Sequence, residues 1–271
     1  MKVGKYYVLI AEGITDCSLL EAILEKYLGY TQYEKVDHLP ELFKEMIGKY
    51  PTGKGELKRQ DSPTFYYKNN VGVAVKMAGG CSNLAKKVSS IIAIIDIRDE
   101  YKNFGGFLLF ADTDKEDAAH IRKTLKDELK KEQFIYQDNM VEAYEHKLCC
   151  KLHLFPTNGC GAIEKLLLEC AKITYGELFE DALKYRECTS DKKYEKLRKE
   201  CWAKDKEIQE FYADKVQFGA ISTVLKPDKP VRFSIKDKLI RTDYKASYME
   251  IEEFKMPYDF LQNNLEQSIG L

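Results

Sequence analysis

The chain has 271 residues, 44% of them hydrophobic, and its 43 basic and 44 acidic side chains leave a formal charge of -1. That excludes a polycation gripping nucleic acid by bulk charge, and it leaves enough apolar content for one large or two small domains. Neither a signal-type apolar region nor a stretch of about eighteen apolar residues is present, so a soluble protein at a cytoplasmic address is expected.

In chain order, Lys5 to Ala11 reads as a strand, and residues 16–28 read as a helix in which Leu19, Leu20, Ile23, Leu24, Tyr27 and Leu28 recur at helical spacing. Residues 31–70 form an inserted segment, with a short helix near 39–48 and a polar loop from Pro51 to Pro63. The strand Thr64-Phe65-Tyr66-Tyr67 follows, which Lys68-Asn69-Asn70 turns back as a hairpin onto Val71 to Met77. After Ala78-Gly79-Gly80, Ser82 is placed to cap a helix carrying Leu84, Val88, Ile91, Ile92 and Ile95. Gly106 to Ala111 reads as a third strand before a helix over 116–131. Leu152 to Pro156 reads as a fourth before a helix over 161–173. Repeated strand-then-helix order predicts an α/β fold, a parallel Rossmann-like sheet covered by helices. Beyond 174 the composition changes to long charged helices, with Lys192, Lys193, Lys196, Arg198 and Lys199 clustered. A last helix over 257–268 is expected to pack back on the body.

The eight cysteines include no C-x-x-C pair, so reduced and mostly buried thiols are expected rather than zinc or disulfides. His38, His120, His146 and His153 lack a metal-binding spacing and read as structural or surface residues.

The chemistry is carried by acids at strand ends. Asp112-Thr113-Asp114 stands where Phe107 to Ala111 stops, and Glu12-Gly13-Ile14-Thr15-Asp16 stands where Tyr7 to Ala11 stops. Ligands of open α/β sheets bind at the carboxyl ends of strands, so acids delivered there can converge. Two unit charges about 4 Å apart repel by roughly 4 kcal/mol at an effective dielectric of 20, and a hard cation such as Mg²⁺ removes that cost. The same acids also suit helix capping and the helix dipole, which is worth about 0.3 to 1 kcal/mol.

Strand-Glu12-Gly13-x-x-Asp16, the glycine turn at Gly79-Gly80 and strand-Ala111-Asp112-x-Asp114, in that order, resemble the Toprim domain of topoisomerases, bacterial primases, small RNA maturases and OLD-type nucleases. The resemblance covers about residues 5–172. It implies a Toprim-like domain over 1–173, with 31–70 as an insertion, and a mainly helical region over 174–271. It also implies that Glu12, Asp112 and Asp114 hold Mg²⁺, with Mn²⁺ as a substitute, and that Glu12 serves as general acid or base. Asp16 is implied as a further ligand. Phe155-Pro156-x-x-Gly159-x-Gly161-x-x-Glu164 looks like the G-x-x-E segment of standalone, uncharacterised Toprim proteins, which makes Glu164 another ligand candidate. Gly79 and Gly80 are candidates for substrate binding, and Lys215 is a candidate for charge stabilisation at the substrate; a plain surface lysine is its other reading. The chain departs from the family in lacking a zinc module, a marked tyrosine nucleophile and a fused ATPase domain, and the last leaves room for a partner ATPase.

Gly48-Lys49-Tyr50-Pro51-Thr52-Gly53-Lys54-Gly55 fits G-x-x-x-x-G-K but ends in Gly where a P-loop needs Ser or Thr. The expected activity is therefore Mg²⁺-dependent cleavage of a nucleic-acid phosphodiester, on DNA or RNA. The rival is a non-catalytic metal- or nucleic-acid-binding subunit of a defence or repair assembly. A minor alternative, a phosphatase acting on a small phosphate ester, meets Lys115 after the D-x-D where that signature expects Thr.

Overall fold

A computed structural model describes residues 3–47, 63–202, 204 and 206–266. The chain folds as α/β: one eight-stranded mixed sheet, with helices between the strands and a helical C-terminal region. The polar loop expected from Pro51 to Pro63, all but Pro63 itself, and the G-x-x-x-x-G-K segment lie outside the described residues.

The strands are β1 (Lys5–Ala11), β2 (Thr31–Gln32), β3 (Thr64–Lys68), β4 (Val71–Met77), β5 (Phe104–Asp112), β6 (Ile135–Gln137), β7 (Met140–Ala143) and β8 (His146–Phe155), in the spatial order β2-β3-β4-β1-β5-β8-β7-β6. β1 runs parallel to both neighbours, pairing Lys5 with Val71 on one side and Ala11 with Phe110 on the other. A strand so flanked reads as a near-continuous apolar run, and Val8, Leu9, Ile10 and Ala11 are completely buried. The expected parallel pairing holds at this centre, and toward the edges the sheet becomes antiparallel, as the expected β3–β4 hairpin requires on one side. There β2, β3 and β4 pair antiparallel, as do β6, β7 and β8.

The β3–β4 hairpin forms as expected, with Asn69 at φ 52° in its turn. The β6–β7 hairpin has no counterpart in the sequence reading, because strands of three and four residues give too short a pattern. Its turn residues Asp138 and Asn139 both have positive φ, the signature of a two-residue hairpin turn.

The helices are α1 (Ile14–Lys26), α2 (Glu41–Ile47), α3 (Leu84–Arg98), α4 (Ala118–Lys131), α5 (Glu164–Thr174), α6 (Gly176–Thr189), α7 (Glu195–Cys201), α8 (Lys206–Leu225), α9 (Val231–Ser234), α10 (Lys245–Glu250) and α11 (Glu252–Glu266). Ser82 does not cap α3. It sits inside a 3₁₀ turn over Cys81–Asn83, and the helix starts at Leu84. The last helix begins at Glu252, five residues before the proline read as its start, so Pro257 lies inside it.

The chain forms two compact units. The first comprises Met1–Ala111, Ala119–His153 and Asp259–Leu271, and the second comprises Asp112–Ala118 and Leu154–Tyr258. In the first unit, residues 31–70 supply β2, α2 and β3, and a buried carboxylate joins α1 to β3: Thr64 Oγ1 donates to Glu21 Oε1 at 2.6 Å. The last turns of α11 return to this unit, with the Phe260 ring 5.6 Å from Phe110 and 5.3 Å from His153, and with Lys68 paired to Glu266 at 2.8 Å. In the second unit α5, α6 and α8 pack together around Leu167, Phe218 and Ile221, and Tyr248 donates to the Leu239 carbonyl at 2.7 Å.

All eight cysteines are free thiols. Only Cys17, Cys150 and Cys170 are buried, so the expectation of mostly buried thiols is corrected. No described helix is long and apolar enough to cross a membrane.

Candidate active site

In the first unit the end of β1 ties the glycine turn in place. The Glu12 N–H donates to the Phe110 carbonyl, and the Glu12 carbonyl accepts from both Gly79 (3.0 Å) and Gly80 (3.1 Å). Gly79 and Gly80 have φ of 77° and 116°, which L side chains rarely adopt, so glycine is demanded here by backbone conformation. A Cβ on Gly79 would meet nothing within 4 Å. Asp16, the third residue of α1, is 3% exposed, and its Oδ2 accepts the Gly13 N–H at 3.0 Å. That is half of a capping box, with the acid also favoured by the helix dipole.

In the second unit Asp112, the last residue of β5, leads into a loop knotted by Thr113. Thr113 is 1% exposed, and its N–H donates to the Phe155 carbonyl at 2.8 Å. Its hydroxyl lies 3.3 Å from the carbonyls of Phe155, Gly159 and Gly161, and accepts the Gly161 N–H at 3.1 Å. With Thr113 turned inward, the two aspartates are left on the outside of the knot. Asp114 adopts φ 49°, tolerable for an aspartate, and donates its N–H to the Gly161 carbonyl at 2.7 Å. Asp112 Oδ1 accepts the N–H of Ile163, the cap of α5, at 3.0 Å, which sets a carboxylate at a positive helix end. Glu253 holds the same loop from its other side, accepting the N–H groups of Thr157 (2.6 Å) and Asn158 (3.3 Å).

Glu164 opens α5 and is 8% exposed, with Oε2 buried and lacking a hydrogen-bond partner among the described residues. Burial raises its pKa; Lys215 pulls it down, while Asp114 and Asp214 push it up further. Lys215, on α8, answers these acids. Partial desolvation lowers the pKa of its ammonium, but Glu164, Asp112 and Asp114 outweigh that and leave it above the ordinary lysine value. It therefore carries a full charge at neutral pH. Beside it, Asp214 is raised by desolvation, against the pull of Arg186, which it meets at 2.6 Å, and of Lys165.

Of the residues expected from sequence, Asp112, Asp114, Glu164 and Lys215 share one electrostatic cluster in the second unit. Glu12, Asp16, Gly79 and Gly80 gather around the end of β1 in the first. Sequence reasoning missed Thr113, which occupies the variable position of D-x-D, and Asp214, whose only signal was adjacency to Lys215. It also missed Glu253, which gave no signal. Among the described residues no three His, Cys, Asp or Glu side chains are gathered closely enough to grip a metal ion. The donor set nonetheless suits a hard dication: its atoms are carboxylate oxygens, and Glu164 Oε2 is a buried acceptor with nothing to accept.

No family model matches the chain, and no curated protein does. Among solved structures, the crystal structure of a hypothetical protein from Pyrococcus horikoshii OT3 is similar to it. The two share 16% identity over 98% of this chain and 100% of that one, with a TM-score of 0.48.

Proposed function

We propose that the protein is a Toprim-type, metal-dependent nuclease that cleaves nucleic-acid phosphodiesters. The observation that carries this reading is the Thr113 knot, which leaves Asp112 and Asp114 on its outside, Asp112 bonded to the start of α5 where Glu164 Oε2 is buried without a hydrogen-bond partner among the described residues. Asp112, Asp114 and Glu164 would hold Mg²⁺ or Mn²⁺; a metal role for Glu12 rests on the Toprim resemblance alone. When bound, the dication supplies Lewis acidity toward a phosphoryl oxygen and toward water. The chain's own residues do the rest. Thr113 fixes the outward direction of both aspartates, and the Ile163 N–H holds Asp112 in one orientation. Lys215 offers a permanent cation to the charge that builds on the phosphoryl oxygens as water adds and the bond to the leaving oxygen breaks. Glu12 is the candidate to move a proton to or from the reacting oxygens. Asp16, already accepting the Gly13 N–H, is assigned to helix capping.

The test is cleavage of labelled DNA and RNA with Mg²⁺ or Mn²⁺, by the wild type, Asp112→Asn and Glu12→Gln. Loss of cutting in both variants, with thermal unfolding unchanged, supports the reading; undiminished cutting in both overturns it. The second reading is a metal- or nucleic-acid-binding module without catalysis. Nucleic-acid binding without turnover in any divalent metal would select it.

A further inference from the structure

The helices of the second unit carry a surface that the acid cluster does not use. Between Arg186 and Lys204 there are seven basic and four acidic side chains, in a chain whose overall formal charge is -1. The 3₁₀ turn Lys192–Tyr194 and α7 expose almost every residue. Lys196 and Lys199 are paired within the helix to Glu200 and Glu195, whereas Lys192 and Lys193 have no carboxylate partner among the described residues. A hollow of about 510 Å³, with four basic walls (Arg186, Lys192, Arg198, Lys199) against two acidic ones (Glu195, Glu210) and Trp202, adjoins a second of about 490 Å³ through the shared Lys192, Glu195 and Lys199.

Aromatic rings are interleaved with this charge. Trp202 lies 6.2 Å from Tyr212, which is 36% exposed. Lys193 lies 5.1 Å from the ring of Tyr194, itself 39% exposed. Basic side chains beside an aromatic ring are the combination that holds single-stranded nucleic acid, with phosphates on lysines and bases on aromatic faces. An acidic peptide would use the lysines and leave the rings unemployed. The groove also connects to the acid cluster. Arg186, one of its walls, pairs with Asp214, which in turn lies in the electrostatic field of Lys165 and contributes to that of Glu164.

We infer that this groove, around Trp202 and Lys192, Lys193 and Lys199, is a docking surface for single-stranded nucleic acid, feeding a strand toward Asp112 and Lys215. The inference rests on the nuclease reading for where the strand leads; binding itself is measured without metal, so the two can fail separately. Trp202 is the sole tryptophan of the chain, so its fluorescence reports the groove directly.

The experiment titrates the full chain, in EDTA at about 50 mM salt, with a fifteen-residue oligothymidylate, a duplex of equal length and poly-glutamate. The expected result is quenching of Trp202 by the single strand, at least tenfold tighter than by the duplex, and none by poly-glutamate. Lys192→Gln combined with Lys193→Gln and Lys199→Gln should weaken binding at least tenfold. The same triple variant should flatten the slope of log affinity against log salt by about 0.7 for each phosphate it no longer neutralises, with unfolding temperature unchanged. Trp202→Leu, followed by anisotropy of a labelled strand, should bind about tenfold more weakly. Absence of quenching, equal or tighter binding of the duplex, quenching by poly-glutamate, or wild-type affinity in the triple variant would each overturn the proposal.

Discussion

The acids at the end of β1 and those after β5 begin as the same kind of feature, carboxylates where a buried strand stops, yet their surroundings differ. Asp16 is compensated locally, by the N–H of Gly13 three residues before it and by the start of its own helix. Asp112, Asp114 and Glu164 come from two segments some fifty residues apart, and they are compensated by Lys215, a further fifty residues along. Local compensation fixes a helix end. Compensation by groups distant in sequence, Lys215 and the Ile163 N–H, holds acids from separate segments in one field.

That contrast can be broken or sharpened experimentally. The largest effect should come from Asp112→Asn, which should lower divalent-dependent cleavage by about a thousandfold while shifting the unfolding temperature little. A loss of stability in step with activity would make Asp112 a structural residue like Asp16. Next is the pH response of the first unit. Burial, reinforced by Arg122, lowers the pKa of His153 to about 4, so between that value and the ordinary 6.5 the unfolded chain binds a proton that the folded chain does not. Stability should therefore fall on acidification through that window by about 3 kcal/mol, and the contribution should vanish in His153→Phe, as read by denaturant midpoints at pH 7 and 4.

Asp16→Ala should cost about 1 kcal/mol through loss of the cap and leave cleavage within tenfold of wild type. A cleavage defect matching that of Asp112→Asn would make Asp16 a ligand after all. The smallest effect concerns Glu164, where only a direction is expected. Its folded pKa is raised, so its contribution to stability is present at low pH and lost as pH rises through that folded pKa. Without divalent ions Glu164→Gln should therefore unfold at a higher temperature than wild type at pH 7. Mg²⁺ should raise the unfolding temperature of the wild type and not that of the variant.

The central strands were legible in the sequence because parallel strands buried on both faces must be continuously apolar, as Tyr7 to Ala11 and Phe107 to Ala111 are. The β3–β4 hairpin was legible from Asn69-Asn70. The β6–β7 hairpin was not, since seven strand residues carry too little pattern. The D-x-D acids could be found by their position at a strand end. Thr113 could not, because its role is to receive and make hydrogen bonds with a loop that lies more than forty residues away in sequence.

The sequence by itself determined the α/β character, the central parallel strands and the positions of the strand-end acids, because burial period and turn chemistry are local properties of the chain. Only the tertiary structure decided which acids share a field. It set Lys215 and Asp214 from α8 beside Glu164 from α5 and the D-x-D after β5. Electrostatic coupling depends on distance in space, and no spacing along the chain encodes it.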